Sequence, residues 1–141
     1  MSHTFFRHRL LPLFAVLLLF PGCADSIVSD DGPLDQPVRA RFRDIQQRVF
    51  NVSCATAGCH AGSEPASGLD LTADRAYANL VGVPSWNHPT MKRVDPGSRT
   101  NSTLIGQLRR ELAPAMPPNG SIPSAVIDSI AAWIDAGAPN N

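Results

Sequence analysis

Apolar residues recur at helical spacing in four places along the chain. Over Pro37–Phe50 (PVRARFRDIQQRVF), Val38, Phe42, Ile45 and Val49 follow one another at steps of four, three and four. That is one stripe of an amphipathic helix. Arg39, Arg41, Arg43 and Arg48 fall mostly off the stripe and read as a solvated face rather than a binding face. A shorter helix is predicted over Ala73–Leu80. A third runs from about Ser102 to Leu112, with Leu104, Ile105, Leu108 and Leu112 on one side. The fourth, Ser124–Ala136, has Ser124 as its N-cap, Gly137 just past its end and a broad apolar face formed by Val126, Ile127, Ile130, Trp133 and Ile134. No stretch alternates as a strand does, so the pattern predicts an all-α fold of about four helices.

The N-terminus follows a different pattern. Arg7 and Arg9 precede Leu10–Phe20 (LLPLFAVLLLF), which is almost wholly apolar, and Pro21-Gly22-Cys23 follows. A basic start, a short apolar run and a small-residue site make a secretory signal. The run falls short of the ~20 residues that span a bilayer as a helix. Phe20-Pro21-Gly22-Cys23 resembles a bacterial lipoprotein signal, which implies a lipidated Cys23 as the first mature residue. Gly22 fits that pattern, whereas Phe20 and Pro21 depart from it; the other reading is an ordinary cleaved signal with a spare thiol nearby. Both predict export, to the periplasm or, as a lipoprotein, to the outer membrane or cell surface. Residues 1–22 are thus assigned to the signal, 23–36 to a tether and 37–141 to the domain. The tether (ADSIVSDDGPLDQ after Cys23) carries four Asp, no cation and a central Gly-Pro, the composition of a solvated linker.

Charge and composition narrow the classes further. Twelve Lys and Arg balance twelve Asp and Glu, and loss of Arg7 and Arg9 with the signal leaves residues 23–141 at −2. No cationic excess exists to neutralise phosphates, so nucleic acid is not an expected partner. Thirteen Pro and ten Gly predict long loops between few regular elements. Aromatic residues are only 6% of the chain, thin for a domain that fills its own core.

The chemistry concentrates at Cys54, Cys59 and His60. With Cys23 set aside, Cys54 and Cys59 form a pair separated by Ala55-Thr56-Ala57-Gly58, and His60 follows at once. Three readings fit: a small disulfide loop, half of a metal site, or a covalent haem attachment site. A disulfide loop gives no reason for the adjacent His. A structural zinc site needs four ligands, and no second Cys pair exists. A thioether at Cys59 would hold a macrocycle edge where the neighbouring imidazole reaches the iron. The common attachment motif has two residues between its cysteines and this one has four, all small, with Gly58 free to take positive φ. Downstream, Ala113-Pro114-Ala115-Met116-Pro117-Pro118 sets a Met in a stiff loop, and the prolines lower the entropy lost in holding Met116 on a metal. Its competitors as a sixth ligand are His88 and Met91.

The order of these pieces resembles the c-type cytochrome domains of bacterial lipoproteins. It runs from the amphipathic helix through Cys54…Cys59-His60, Gly68-Leu69-Asp70-Leu71, Tyr77-Ala78-Asn79-Leu80 and Val94-Asp95-Pro96-Gly97. It continues through Ser102-Thr103-Leu104 and Met116-Pro117-Pro118 to Trp133-Ile134-Asp135-Ala136-Gly137-Ala138. The resemblance spans roughly Val38–Pro139 and rests on collinear order more than on any one motif. It implies a class I cytochrome c-like fold, with N- and C-terminal helices crossing and long Pro/Gly-rich loops around one covalent haem c. Cys54 and Cys59 would then be the thioether residues, His60 the proximal iron ligand and Met116 the distal one. The implied role is single-electron transfer between redox protein partners, not catalysis. A covalent macrocycle would also supply the missing apolar core, with Phe42 and Trp133 packing at the helix crossing, so the chain is expected to fold poorly without it.

Two other readings follow from the same residues. One is a haem-free exported binding or adhesion module with a Cys54–Cys59 disulfide; the other is a haem enzyme or sensor whose sixth site stays open. Trp86-Asn87-His88-Pro89 reads as a loop covering the haem, with a sugar- or partner-binding loop as the alternative. Lys92-Arg93 and Arg109-Arg110 are candidates for steering an anionic partner. Asp70 and Asp74 read as turn and cap residues rather than a catalytic pair.

Overall fold

The computed structural model describes residues 37–141, so Cys23, the signal and the tether lie outside the described residues. The four predicted helices all form, each with shifted ends: α1 (Phe42–Ile45), α2 (Ala76–Leu80), α3 (Thr103–Leu108) and α4 (Ser124–Asp135). The described residues contain no strand, only isolated bridges such as Val81 with Val94 and Lys92 with Ser102. The architecture is therefore all-α, and no helix among these residues is long and apolar enough to cross a membrane.

Helix α1 begins later than the periodicity predicts because Asp44 captures the chain ahead of it. The Arg39 backbone N–H and its Nε each donate to Asp44 Oδ2 at 3.0 Å, and Arg41 Nη2 lies 3.4 Å from Oδ1. Asp44 is buried. Burial alone would raise its pKa, but the hydrogen bonds and charge of Arg39, with Arg41, hold the carboxyl below its ordinary value. Arg39 and Arg41 are thus structural partners of a buried acid, which corrects their reading as a purely solvated face. The first free N–H groups of α1 are met from the far end of the domain: Phe42 donates to Asn141 Oδ1 (2.9 Å) and Arg43 to the Asn141 backbone oxygen (2.8 Å).

From Ile45 the helix continues without a break as a π-helical segment, Gln46–Cys54, closed by a bond from Ala55 N–H to the Phe50 carbonyl (2.7 Å). Such wide turns are rare and concentrate at functional sites. The apolar stripe survives the change of winding, since Phe42, Ile45, Val49 and Phe50 are all buried.

Helix α2 starts at Ala76 rather than Ala73. Asp70 Oδ1 accepts from both the N–H (2.9 Å) and the hydroxyl (2.7 Å) of Thr72, and the resulting turn occupies Thr72–Arg75. Asp70 is accordingly a turn residue. Helix α3 stops at Leu108 because the chain doubles back: Arg110 takes φ +64°, and the N–H groups of Glu111 and Leu112 both reach the Gly106 carbonyl (2.8 and 3.0 Å). Ser124 is the first residue of α4 rather than its cap; Pro123 holds the cap position, and its carbonyl accepts from Ile127 N–H at 3.1 Å. The other end of α4 matches expectation. Gly137, at φ +94°, donates to Ile134 O (2.9 Å) while Ala138 donates to Trp133 O (3.0 Å), a glycine-terminated helix end.

Aromatic contacts join the two ends of the domain. Phe42 lies 5.5 Å from Trp133, 5.1 Å edge-on from Tyr77 and 6.5 Å edge-on from Phe50, between ring centroids. Trp133 is fully buried and donates its indole N–H to Pro139 O (2.8 Å), while the Tyr77 hydroxyl donates to Ala138 O (2.9 Å). Contacts of this kind add about 0.5–1.5 kcal/mol each beyond area burial.

Candidate functional site

The π-helical segment delivers Cys54 to the edge of a large apolar cleft. The loop after it, Ala55–His60, turns back so that the His60 N–H meets the Cys54 carbonyl (3.2 Å) and the Cys59 N–H meets the Thr56 carbonyl (3.0 Å). Gly58 takes φ +80° in this turn, the freedom expected of the four-residue spacing. Cys54, Cys59 and His60 consequently line the same cleft. Both thiols are free, Cys54 half-buried and Cys59 exposed. Burial, with a smaller contribution from Cys59, pushes the Cys54 thiol up to about 11, so it is protonated at neutral pH.

The orientation of His60 is fixed from behind. Its Nδ1 lies 3.1 Å from the Leu69 carbonyl. A carbonyl can only accept, so Nδ1 carries the proton and Nε2 of the neutral ring keeps its lone pair. Burial lowers the His60 pKa, the carbonyls of Leu69 and Ala66 oppose that, and the Arg93 charge lowers it further; the net direction is downward. A neutral imidazole held by a carbonyl at one nitrogen is the arrangement of a metal ligand. The bond from Leu71 N–H to His60 O (2.8 Å) holds the backbone on the same side.

The facing walls come from α2, α3 and two loops. Leu69, Leu71, Leu80, Leu104 and Leu108 give the cleft its apolar lining, and Met116, Pro117 and Pro118 close one side. The Met116 N–H is tied to the Gln107 carbonyl at the end of α3 (3.0 Å). Measured out to its open mouth, the cleft holds about 1140 Å³ of atom-free space. Among the three candidate sixth ligands, Met116 alone lines it. Met91 lies in a separate hollow beside Arg99 and Leu112. His88 is turned away, with its Nε2 2.7 Å from the Ala113 carbonyl. That nitrogen is a committed donor with no lone pair to offer.

Two further residues singled out in the sequence also line the cleft. Arg93 lines the cleft and donates to the carbonyls of Asn79 (2.8 Å) and Ser67 (3.0 Å), with burial lowering its pKa. Its neighbour Lys92 pairs with Asp95 at 2.7 Å, and Arg109 pairs with Asp128 at 2.9 Å. Trp86 stands at the cleft mouth and is 78% exposed, with Asn87 beside it. Ser85, a buried polar residue of the lining, carried no signal in the sequence, whereas the buried Thr103 belongs to the Ser102-Thr103-Leu104 run; the bridges Pro84 with Lys92 and Lys92 with Ser102 lie beside them. Among the described residues, no group of three or more His, Cys, Asp or Glu converges as a metal cluster. The cleft side chains able to ligate a metal are an imidazole, a thioether and a thiol pair on an apolar wall. No family model, curated protein or solved structure matches the chain.

Proposed function

We propose that this chain is an exported monohaem c-type cytochrome of class I-like fold, carrying single electrons between respiratory partner proteins rather than catalysing a reaction. One observation supports this above all: Cys54, Cys59, His60 and Met116, spread over more than sixty residues of sequence, line a single apolar cleft, with His60 Nδ1 already engaged by Leu69. The residues fit the group by chemistry. Cys54 and Cys59 would hold haem through thioethers, His60 Nε2 and the Met116 sulfur would be the donors to its iron, and the leucines would exclude water. When bound, haem supplies a one-electron iron couple, and His/Met ligation raises its potential and leaves no open site for substrate. Arg93 sets a fixed positive charge at the cleft wall. The acidic segment 23–36, with Cys23 lipidated, would tether the domain to a membrane.

The test is an absorption spectrum, oxidised and then dithionite-reduced, of protein made in a host with periplasmic haem maturation. Extraction under denaturing conditions follows. A sharp reduced α band that stays with the chain is the expected result. A colourless, well-folded protein would overturn the reading and leave a haem-free binding module.

A further inference from the structure

The Met116 segment is held at three points. Its backbone N–H bonds to the Gln107 carbonyl (3.0 Å), Arg110 Nη1 donates to the Gly120 carbonyl beyond it (2.9 Å), and His88 Nε2 reaches the Ala113 carbonyl ahead of it (2.7 Å). The third point differs from the others because it joins two separate loops, one carrying the cleft residues Ser85, Trp86 and Asn87 and the other leading into Met116. His88 sits in a tight turn, in which the Ser85 N–H meets Met91 O (2.9 Å) and the Met91 N–H meets His88 O (2.8 Å). The same turn carries Ser85, Trp86 and Asn87 into the cleft wall. Ala113 is exposed, so without His88 nothing but water is available to its carbonyl.

We propose that His88 is a positioning residue for Met116: by bridging the 85–91 turn to Ala113 it closes the Met116 loop against the cleft and slows loss of the thioether ligand. This rests on the haem reading and adds a residue that is not itself a ligand. The bond requires a proton on Nε2, since the Ala113 carbonyl can only accept. A net hydrogen bond of ordinary strength corresponds to about a five-fold change in the equilibrium between closed and open loop.

The experiment uses the haem-loaded protein and imidazole as the probe. Stopped-flow absorption follows loss of the oxidised sulfur-to-iron charge-transfer band as imidazole displaces the native ligand. His88→Ala should keep the band at rest and raise the limiting displacement rate about five-fold. His88→Gln, which retains a donor, should restore most of the wild-type rate. Arg110→Gln, which loosens the loop outside the bridge, should stay within about two-fold of wild type. Wild-type rates in His88→Ala would overturn the proposal, as would equal acceleration by His88→Ala and Arg110→Gln, since the bridge would then have no particular role. If the wild-type protein holds haem but shows no such band, Met116 ligation itself fails, an outcome read before any variant is made. Thermal melts of each variant separate a loosened loop from a loosened domain: a His88→Ala protein whose melting temperature falls as steeply as its rate rises also counts against the proposal.

Discussion

Gly106 lies inside α3, where alanine is ordinarily the better residue by about 1 kcal/mol. Here the sign should reverse. A β-carbon built on Gly106 would stand 2.6 Å from both Cγ and Cδ1 of Leu112 and 3.3 Å from its Cβ. The conflict reaches the branch point of the leucine, so rotating a terminal methyl does not relieve it. Leu112 is pinned there by its own N–H, which bonds to the Gly106 carbonyl at 3.0 Å. Overpacking of this kind costs about 1–3 kcal/mol. Set against the helix gain, Gly106→Ala should destabilise the protein by up to about 2 kcal/mol. In a Leu112→Ala background both 2.6 Å conflicts are gone and the 3.3 Å approach to Cβ stays, so the same change should stabilise by less than about 1 kcal/mol. The two effects are coupled, and the coupling should measure about 1–3 kcal/mol in a double-mutant cycle. Urea denaturation of the four proteins, followed by circular dichroism, provides the numbers. Additive effects, or the same sign for Gly106→Ala in both backgrounds, would refute the packing argument and the tight return of the chain that feeds the Met116 loop.

Three other outcomes follow from the same geometry. Met116→Ala should abolish the sulfur-to-iron charge-transfer band and let carbon monoxide and imidazole bind without displacing a ligand, whereas Met91→Ala, in its separate hollow, should leave the spectrum unchanged. Asp44→Asn should destabilise by about 1–3 kcal/mol at neutral pH, since a buried acceptor of Arg39 and Arg41 is lost. Because the folded pKa of Asp44 lies below its unfolded value near 3.8, that difference should be complete above about pH 5 and vanish as the pH falls below 3.8 through the folded pKa, as acid titration of both proteins would record. Protein produced without haem maturation should show reduced helicity and no cooperative melt by circular dichroism; full native helicity with a sharp transition would show that the core needs no occupant.

How much of this was written in the sequence depends on the range of the interaction. Helix existence was legible because the stripe through Phe42, Ile45 and Val49 and the broad face of α4 are local patterns. Helix ends were not, where side chains redirected the backbone: Asp44 pulls Arg39 out of α1, Asp70 delays α2, and the return of Leu112 onto Gly106 ends α3 early. The π-helical winding before Cys54 had no signature in an apolar spacing that suits an α-helix equally well. At the site, Cys54, Cys59, His60 and Met116 were legible as residue types in a suggestive order. Their partners were not, since the Leu69 carbonyl, the inward turn of Arg93 and the His88 bridge to Ala113 depend on loops meeting in space.

The cleft itself links the composition to the fold. The core is built from residues such as Phe50, Leu71, Leu80 and Leu108, which are buried yet also form the cleft wall. Each packs against protein on one side and faces the cleft on the other. Those four are already almost out of water, so the apolar surface an occupant would cover belongs to their half-buried neighbours Leu69, Leu104, Met116 and Pro117, at roughly 25 cal/mol per Å². A rigid, flat, apolar occupant anchored at Cys54 and Cys59 would supply the missing surface without the rotamer entropy that several long side chains would lose. On this argument the Cys59-His60 pair and the apolar wall belong together: the residues that would attach the cofactor line the same cleft as the leucines that would pack against it.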